Sequence, residues 1–492
     1  MKRKPLITLF AVFCAFSCPF AFSACGEERG TEGLEYELNE DGNSYSVKVG
    51  NDLSLIGEKV VIPPTYNGKP VTAIGDSAFR FVYAMESIKL PDSITYIGFD
   101  AFFDCRNMKK INIPDSVTYI GSRAFERCTY LSEISFPDTV KHIGESVLYN
   151  TAYYFNEDNW QGNELYNNRH LIALKEAATD NYEIKDGTLT IAGGLFKENV
   201  NLTGIKIADS VTTIGSYAFQ GCTKLKNIDI PQSVTSIGND AFRDCKSIES
   251  LALPDNITSI DSFTFNGCTN LKNITLPEGL TSIGGWAFNE CINLENISVP
   301  NSIITIGGSA FRWCHNLNYN IYDNARYLGD NANPYTALIE IINETEPCTI
   351  NENTKILAGN SFSRFEGSEI TIPDNIISIN DTAFDSCENL TELTIPDSVK
   401  FIGSSAFQHC SKLESIVIPN SINQINSYLF SYCTNLKSVT IPKSVTLINA
   451  GAFLECVRLA DIYYTGSEQD WKNVTIMNEN EKLSEATIHY NF

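Results

Sequence analysis

The side chains of this chain with the widest range of possible chemistry are eleven cysteines that recur at a fixed spacing. Thiols can form disulfides, bind metals or act as nucleophiles. Every gap between close neighbours is 23 residues, and the cysteines are Cys105, Cys128, Cys222, Cys245, Cys268, Cys291, Cys314, Cys387, Cys410, Cys433 and Cys456. A fixed period in this range predicts a solenoid, in which one short unit buries its apolar face only when neighbours stack on it.

The repeat argues against most cysteine chemistry. Equivalent cysteines would lie one turn apart and point in the same direction, which does not suit the dihedral angle of a disulfide. Free cysteine behaves as a small buried hydrophobe, so we expect a ladder of buried thiols, with some disulfides as the alternative. The chain has no C-x-x-C spacing and no paired histidines, so we expect no metal site and no other cofactor.

The histidines do not suggest a catalytic site either. Five are scattered along the chain, and His315 and His409 are neighbours of Cys314 and Cys410. Adjacent residues on a strand or turn point apart, which opposes a Cys-His nucleophile pair. We therefore expect no enzyme activity and predict no catalytic residues.

The repeating unit predicts the elements that position the thiols. In the segment 111–131, INIPDSVTYIGSRAFERCTYL, Ile111 and Ile113 alternate with a polar residue, as a half-buried strand requires. A proline ends the strand, turn residues follow, and a second short strand ends at Gly121. We expect positive φ at this glycine and its equivalents. The Ala-Phe pair and the cysteine would fill a third side.

This unit, I-x-I-P-x-S-V-T-x-I-G-x-x-A-F-x-x-C-x-x-L, resembles the BspA-like leucine-rich repeat family of bacterial surface proteins, and the match covers most of the mature chain. The final segment, with Trp471 and the run Ile488-His489-Tyr490, is similar to that family's closing element. The resemblance implies a leucine-rich repeat solenoid with 23-residue turns, mostly short strands and turns, capped at both ends. It also implies a surface adhesion or interaction protein.

The N-terminus indicates export. Lys2, Arg3 and Lys4 precede an uncharged apolar stretch, and Phe22-Ser23-Ala24 then leads to Cys25. This pattern is typical of a secretory signal and resembles a bacterial lipobox, so Cys25 is the predicted lipidation site. An ordinary signal peptide cut nearby is the alternative. We expect an exported protein, anchored at the cell surface only through its lipid.

The period fails twice, since 94 residues separate Cys128 from Cys222 and 73 separate Cys314 from Cys387. We expect irregular, Tyr-rich inserts there, which either bind ligands or only modify the solenoid. The expected division is a signal peptide (1–24), a lipidated tether (25–35), an N-terminal cap and atypical turn (36–75), repeats (76–146), an insert (147–200), repeats (201–317), an insert (318–366), repeats (367–460) and a C-terminal cap (461–492).

Charge narrows the choice of partners. The chain has 36 basic and 59 acidic residues and a net charge of −23. We expect no nucleic-acid partner, because affinity for phosphates needs clustered Lys and Arg. Surplus acid on an exported protein is explained by solubility, and we expect a monomer.

Aromatic residues are the candidate ligand contacts. Tyr217, Phe263, Trp286 and Tyr428 stand just before the Ala-Phe position, and Trp313 stands beside Cys314. Phe263 and Trp286 are 23 residues apart and should stack. Such rings anchor protein partners or lie against sugars, or they simply pack over a corner of the solenoid. We therefore consider an adhesin or protein-interaction scaffold first, and a polysaccharide-binding lipoprotein for nutrient capture second.

Overall fold

The computed structural model describes residues 30–39 and 41–492, and the repeats form a solenoid with three sides per turn. The first side is a parallel sheet in which strands 23 residues apart pair, as Ile134 does with Ile111. Both isoleucines point into the core. The strands of this side are Lys59–Val61, Ser87–Lys89, Lys110–Asn112, Glu133–Ser135, Asp180–Glu183, Leu202–Lys206, Asn227–Asp229, Ser250–Ala252, Asn273–Thr275, Ser415–Val417, Ser438–Ile441, Asp461–Tyr464 and Thr487–Tyr490.

The second side is made of shorter parallel strands, mostly of two residues. Most place one isoleucine or leucine in the core, as Ile120 and Ile143 show where they pair. The strands are Lys69–Ile74, Tyr96–Ile97, Tyr119–Ile120, His142–Ile143, Thr190–Ile191, Thr213–Ile214, Ser236–Ile237, Ser259–Ile260, Ser282–Ile283, Thr305–Ile306, Ile356–Leu357, Ser378–Ile379, Phe401–Ile402, Gln424–Ile425, Leu447–Ile448 and Thr475–Ile476.

The third side has no regular strand, yet its backbone still forms a ladder between turns. The N–H of Phe102, for example, donates to the carbonyl of Ala124 in the next turn at 2.8 Å. We call these contacts the third-side ladder. The phenylalanines of the Ala-Phe position stack inside it with ring centroids 5.1 to 5.6 Å apart. This ring spacing is the normal contact distance for aromatic pairs.

The repeated glycine serves a different purpose from the one expected. Gly121 and Gly144 do not have positive φ, so the expected left-handed corner is wrong. A Cβ on Gly144 would lie 2.1 Å from the backbone nitrogen of Ser122 in the preceding turn. Glycine is therefore required because successive turns approach closely. Positive φ falls instead on the third side, just before the Ala-Phe pair and just before the cysteine, as at Trp286 and Trp313.

Both segments expected to be irregular contain regular strands. Each forms a three-stranded antiparallel meander whose last strand joins the second side: Leu171 pairs with Ile191, and Leu338 pairs with Leu357. Each meander also carries a register shift in the pairing of its last two strands. The strands are Trp160–Gln161, Glu164–Asn167 and His170–Leu174 in the first insert, and Asn320–Tyr322, Ala325–Leu328 and Ala337–Ile341 in the second.

The ends of the solenoid carry additional elements. At the N-terminus, strands Leu34–Leu38 and Tyr45–Val49 extend the second side, and Thr65–Tyr66 forms a small hairpin with the strand after it. At the C-terminus, helices Glu468–Trp471 and Glu481–Glu485 close the last turn, with Leu483 buried in the core. The other short helices are Ala152–Phe155 and the 3-10 helices Leu53–Leu55 and Glu157–Asn159.

Candidate functional site

Three of the five aromatic candidates lie in one row on the third side. Phe263 and Trp286 stack with centroids 6.1 Å apart and planes 6° from parallel. Arg243 lies 5.7 Å from the Phe263 ring, while Arg312 lies 5.6 Å from Trp286 and 4.6 Å from Trp313. We call Arg243, Phe263, Trp286, Arg312 and Trp313 the arginine–aromatic row. Guanidinium groups over aromatic faces are held by cation–π attraction, so the rings and cations position one another.

The other two candidates lie outside this row. Tyr217 precedes Phe263 by two turns and has Lys197 at 5.3 Å from its ring. Tyr428 donates its hydroxyl to Glu479 of the C-terminal cap at 3.2 Å. Its ring contacts Gly451 so closely that a Cβ there would lie 2.4 Å from a ring carbon. Packing against the cap explains Tyr428 without a ligand.

The row ends at a cleft between the last regular turn and the second insert. We call it the insert cleft, and it consists of two adjoining cavities of about 400 Å³ and 550 Å³ that share Phe311, Arg312 and Glu340. Trp313 and Ile321 line the larger one and are 46% and 53% exposed. Arg326 forms an ion pair with Glu340 on its wall. The cleft thus combines apolar anchors with charged groups, as ligand sites commonly do.

A larger cavity of about 800 Å³ lies elsewhere on the same insert. It is lined by Cys348, Phe365 and Ile370, among others. No residue of the arginine–aromatic row lines it. The aromatic contacts and this larger cavity are therefore separate features, and we take the row and the insert cleft as the candidate site.

A family model supplies the identification. The model described as "BspA type Leucine rich repeat region" matches residues 58–157, 189–354 and 355–482. The matched segments cover most of the chain and follow the stacked turns described above. The chain belongs to the BspA-type leucine-rich repeat family. This family membership indicates a protein-interaction role, and a solenoid of this kind is typically a non-catalytic binding scaffold.

Several solved structures match this chain over most of its length. A leucine-rich repeat protein from Bacteroides ovatus is 24% identical, with 94% of this chain and 99% of that chain covered and a TM-score of 0.26. A leucine rich cell surface protein from Faecalibacterium prausnitzii is 25% identical, covering 93% and 98%, also with a TM-score of 0.26. The pneumococcal vaccine antigen PcpA is 17% identical, covering 94% and 98%, with a TM-score of 0.26. No curated protein matches.

The cysteines of this BspA-type solenoid lie in its core. All eleven of the repeat are buried and unpaired with one another. Each S–H group donates to the carbonyl of the phenylalanine in the preceding turn at 3.0 to 3.3 Å, as Cys245 does to Phe219. Burial raises the pKa of Cys222, Cys268 and Cys456 to about 12. A thiol with so high a pKa is a poor nucleophile at neutral pH.

The histidines next to cysteines do not contact them. The ring of His409 stacks on Tyr432 at 5.0 Å, and its Nδ1 lies 3.2 Å from Asp385. The thiol of Cys410 instead donates to the carbonyl of Phe384. Within residues 30–39 and 41–492, no group of three or more His, Cys, Asp or Glu could hold a metal ion.

Two tyrosines of the Tyr-rich inserts lie in the core. Tyr327 is fully buried and Tyr166 is 7% exposed. The hydroxyl of Tyr153 and the indole N–H of Trp160 each donate to a carbonyl of the same insert. The hydrogen bonds of Tyr153 and Trp160 stabilise the meander. Because they are buried, Tyr327 and Tyr166 are core residues and not ligand contacts.

Sequence analysis missed the arginines of the BspA-type repeats. Asp100 is fully buried and accepts two hydrogen bonds of 2.9 Å from Arg123, while Arg80 lies 3.3 Å away. These cations compensate a carboxylate that burial would otherwise destabilise. Arg312 differs because it forms no ion pair with any residue of the described chain. The sequence signal that could have identified Arg312 is its position, one residue after the Phe of its repeat and just before the 23-residue spacing ends.

The predicted membrane attachment concerns the N-terminal residues of the chain. No helix in residues 30–39 and 41–492 has the length and apolar character to cross a bilayer. Cys25, the predicted lipidation site, lies outside the described residues. Near the start of the described chain, the N–H of Thr31 donates to the carbonyl of Val61.

Proposed function

We propose that this protein is exported, lipid-anchored at the cell surface through Cys25, and acts as an adhesin or protein-interaction scaffold. Its partners are extracellular proteins, such as host matrix proteins or proteins on other cells. Membership of the BspA-type family supports the protein-interaction part of this proposal. The signal-like segment before Cys25 supports the surface location.

The observation that carries the proposal is the arginine–aromatic row. Trp and Arg are the residues most enriched at the energetic centres of protein interfaces, because they bury much area and also donate hydrogen bonds. Here Arg312 sits between Trp286 and Trp313, and Trp313 is 46% exposed. The outward residues of the first side, such as Asn112 and Thr275, are small and polar by comparison.

Polysaccharide binding for nutrient capture is the second candidate. The nearly parallel rings of Phe263 and Trp286 favour it, because two adjacent flat faces suit a chain of sugar rings. Arg243 and Arg312 flank the pair. Arg243 is ion-paired with Asp240 at 3.1 Å, so Arg312 is the arginine that would interact with acidic sugars.

Binding of the full-length chain to panels of immobilised matrix proteins and polysaccharides separates the two. We expect saturable binding to a protein, weakened at least about tenfold by Trp286→Ala, which is the usual size of an interface hot-spot effect. Tyr428→Ala is the matched control, since Tyr428 occupies the same repeat position but packs on the cap. Glycan binding that Trp286→Ala alone abolishes would instead support nutrient capture. Absence of saturable binding to any protein would refute the first proposal.

A further inference from the structure

At the insert cleft the N–H groups of the third-side ladder have no acceptors among the described residues, and we call the ladder open there and closed where the acceptors are present. In the preceding closed turn, three N–H groups donate to carbonyls of the next turn: Trp286 to Gly308 at 3.1 Å, Phe288 to Ala310 at 2.8 Å and Glu290 to Arg312 at 3.0 Å. One turn later, the N–H groups of Ser309, Phe311 and Trp313 have no hydrogen-bond partner within the described chain. By the repeat geometry these groups point the same way, into the cleft that their residues line.

The C-terminal end shows how the same edge can be closed. There the N–H of Gly451 donates to the carbonyl of Asn478 at 3.0 Å, and the N–H of Phe453 donates to Asn480 Oδ1 at 3.1 Å. A cap therefore supplies acceptors at two equivalent ladder positions where the repeats end. At the insert cleft no described residue supplies them, and backbone N–H groups strongly favour an acceptor.

The cleft also presents arginines that have no described ion-pair partner. Arg312 and Arg364 both line it, and neither forms an ion pair with another residue of 30–39 or 41–492. Among the carboxylates, Glu340 is paired with Arg326, whereas Glu344 and Asp385 form no ion pair with an arginine or lysine of the described chain. The three arginines therefore balance the three carboxylates. Arginine recognises a carboxylate through two parallel hydrogen bonds, so Arg312, which the described residues leave without an ion-pair partner, is able to bind an anionic ligand group.

We propose that the insert cleft binds an extended polypeptide segment of a partner protein that carries a carboxylate side chain. In the closed turn, N–H groups on alternate residues donate to carbonyls on alternate residues of the neighbouring chain, and an extended chain presents alternate carbonyls along one edge. Ser309, Phe311 and Trp313 donate to those carbonyls, Arg312 binds the carboxylate, and the indole of Trp313 covers the segment. This inference rests on the proposed function, since it names the chemistry of the protein segment that is bound.

The first insert provides an internal comparison. The N–H groups of Ser146, Leu148 and Asn150 occupy the equivalent ladder positions and also lack partners in the described chain. Tyr149 and Asn150, however, occupy the repeat positions that Arg312 and Trp313 occupy just before the second insert. That edge has no arginine at this position, so an acidic segment should bind at the second insert and not at the first.

The test is fluorescence anisotropy of a labelled peptide of about ten residues, alternating threonine and glutamate, titrated with the full-length chain. We expect saturable binding that Arg312→Ala weakens about tenfold or more, the usual effect of losing a charged hydrogen bond. Arg458→Ala is the charge-matched control, because Arg458 is an exposed arginine that lies outside the row and the cleft and donates to Asn435. A glutamine version of the peptide should also bind at least about tenfold more weakly.

Amide hydrogen exchange with the peptide bound gives a second readout that does not depend on affinity. Exchange should slow at Ser309, Phe311 and Trp313 and remain unchanged at Ser146, Leu148 and Asn150. The inference is overturned by no binding at concentrations on the order of 1 mM, by equal effects of Arg312→Ala and Arg458→Ala, or by unchanged exchange at the three amides. If the chain binds matrix proteins but one of these results is found, the proposed function stands and only this inference fails.

Discussion

Cys245 illustrates how one residue type serves the whole repeat. Its side chain is fully buried, and its S–H group donates to the carbonyl of Phe219 at 3.1 Å. The 23-residue spacing was enough to predict stacked thiols, because equivalent side chains in a solenoid point the same way. The hydrogen bond to the phenylalanine carbonyl could not be predicted, since it depends on how far the third side of one turn overlaps the next. The role of the aromatic candidates as ligand contacts stays a prediction.

At the residue scale, Cys245→Ser should destabilise the protein. A hydroxyl is smaller and more polar than a thiol, so it leaves unfilled space and is less favourably buried, at a cost of about 1–3 kcal/mol. Chemical denaturation followed by circular dichroism measures the change in the free energy of unfolding. Cys348→Ser is the control, because Cys348 is only partly buried and lies outside the cysteine ladder. Equal effects of the two substitutions would contradict a packing role for Cys245.

At the element scale, the repeated glycine shows where sequence analysis fails. The pattern correctly predicted two short strands and a corner in most turns, because the alternation of apolar residues and the proline positions are local signals. The reason for the glycine is not local. It depends on the distance to the preceding turn, where Ser122 lies against Gly144. The two meanders were missed for a similar reason, since their strands pair with parts of the chain that the repeat spacing does not predict.

A glycine substitution tests this interpretation. Gly144→Ala should destabilise the solenoid by about 1–3 kcal/mol, because the added methyl group forces two turns apart. Gly279→Ala is the matched control, since a Cβ there meets nothing within 4 Å and its φ is not positive; its effect should stay within about 0.5 kcal/mol. Thermal and denaturant unfolding of both variants give the comparison. A neutral Gly144→Ala would show that the close approach is not required.

At the scale of the whole molecule, the inserts divide both the core and the surface. Three groups of buried residues follow one another along the chain, and the changes from one group to the next fall at the two inserts. The family and the solenoid were predictable because the repeat covers most of the chain. The insert cleft was not, because it exists only where a regular turn is absent and a meander takes its place. Binding is therefore expected where the regularity stops, on the row from Arg243 to Trp313 and in the cleft beyond it.

The measurement that tests this claim most directly is amide hydrogen exchange across the full-length chain, alone and saturated with a matrix protein that it binds. Slower exchange concentrated between residues 243 and 385, with little change elsewhere, is the predicted result, since the row and the residues that line the cleft lie in that range. Protection confined to the first-side strands or to the C-terminal cap would contradict the account and move the binding surface to another face of the solenoid.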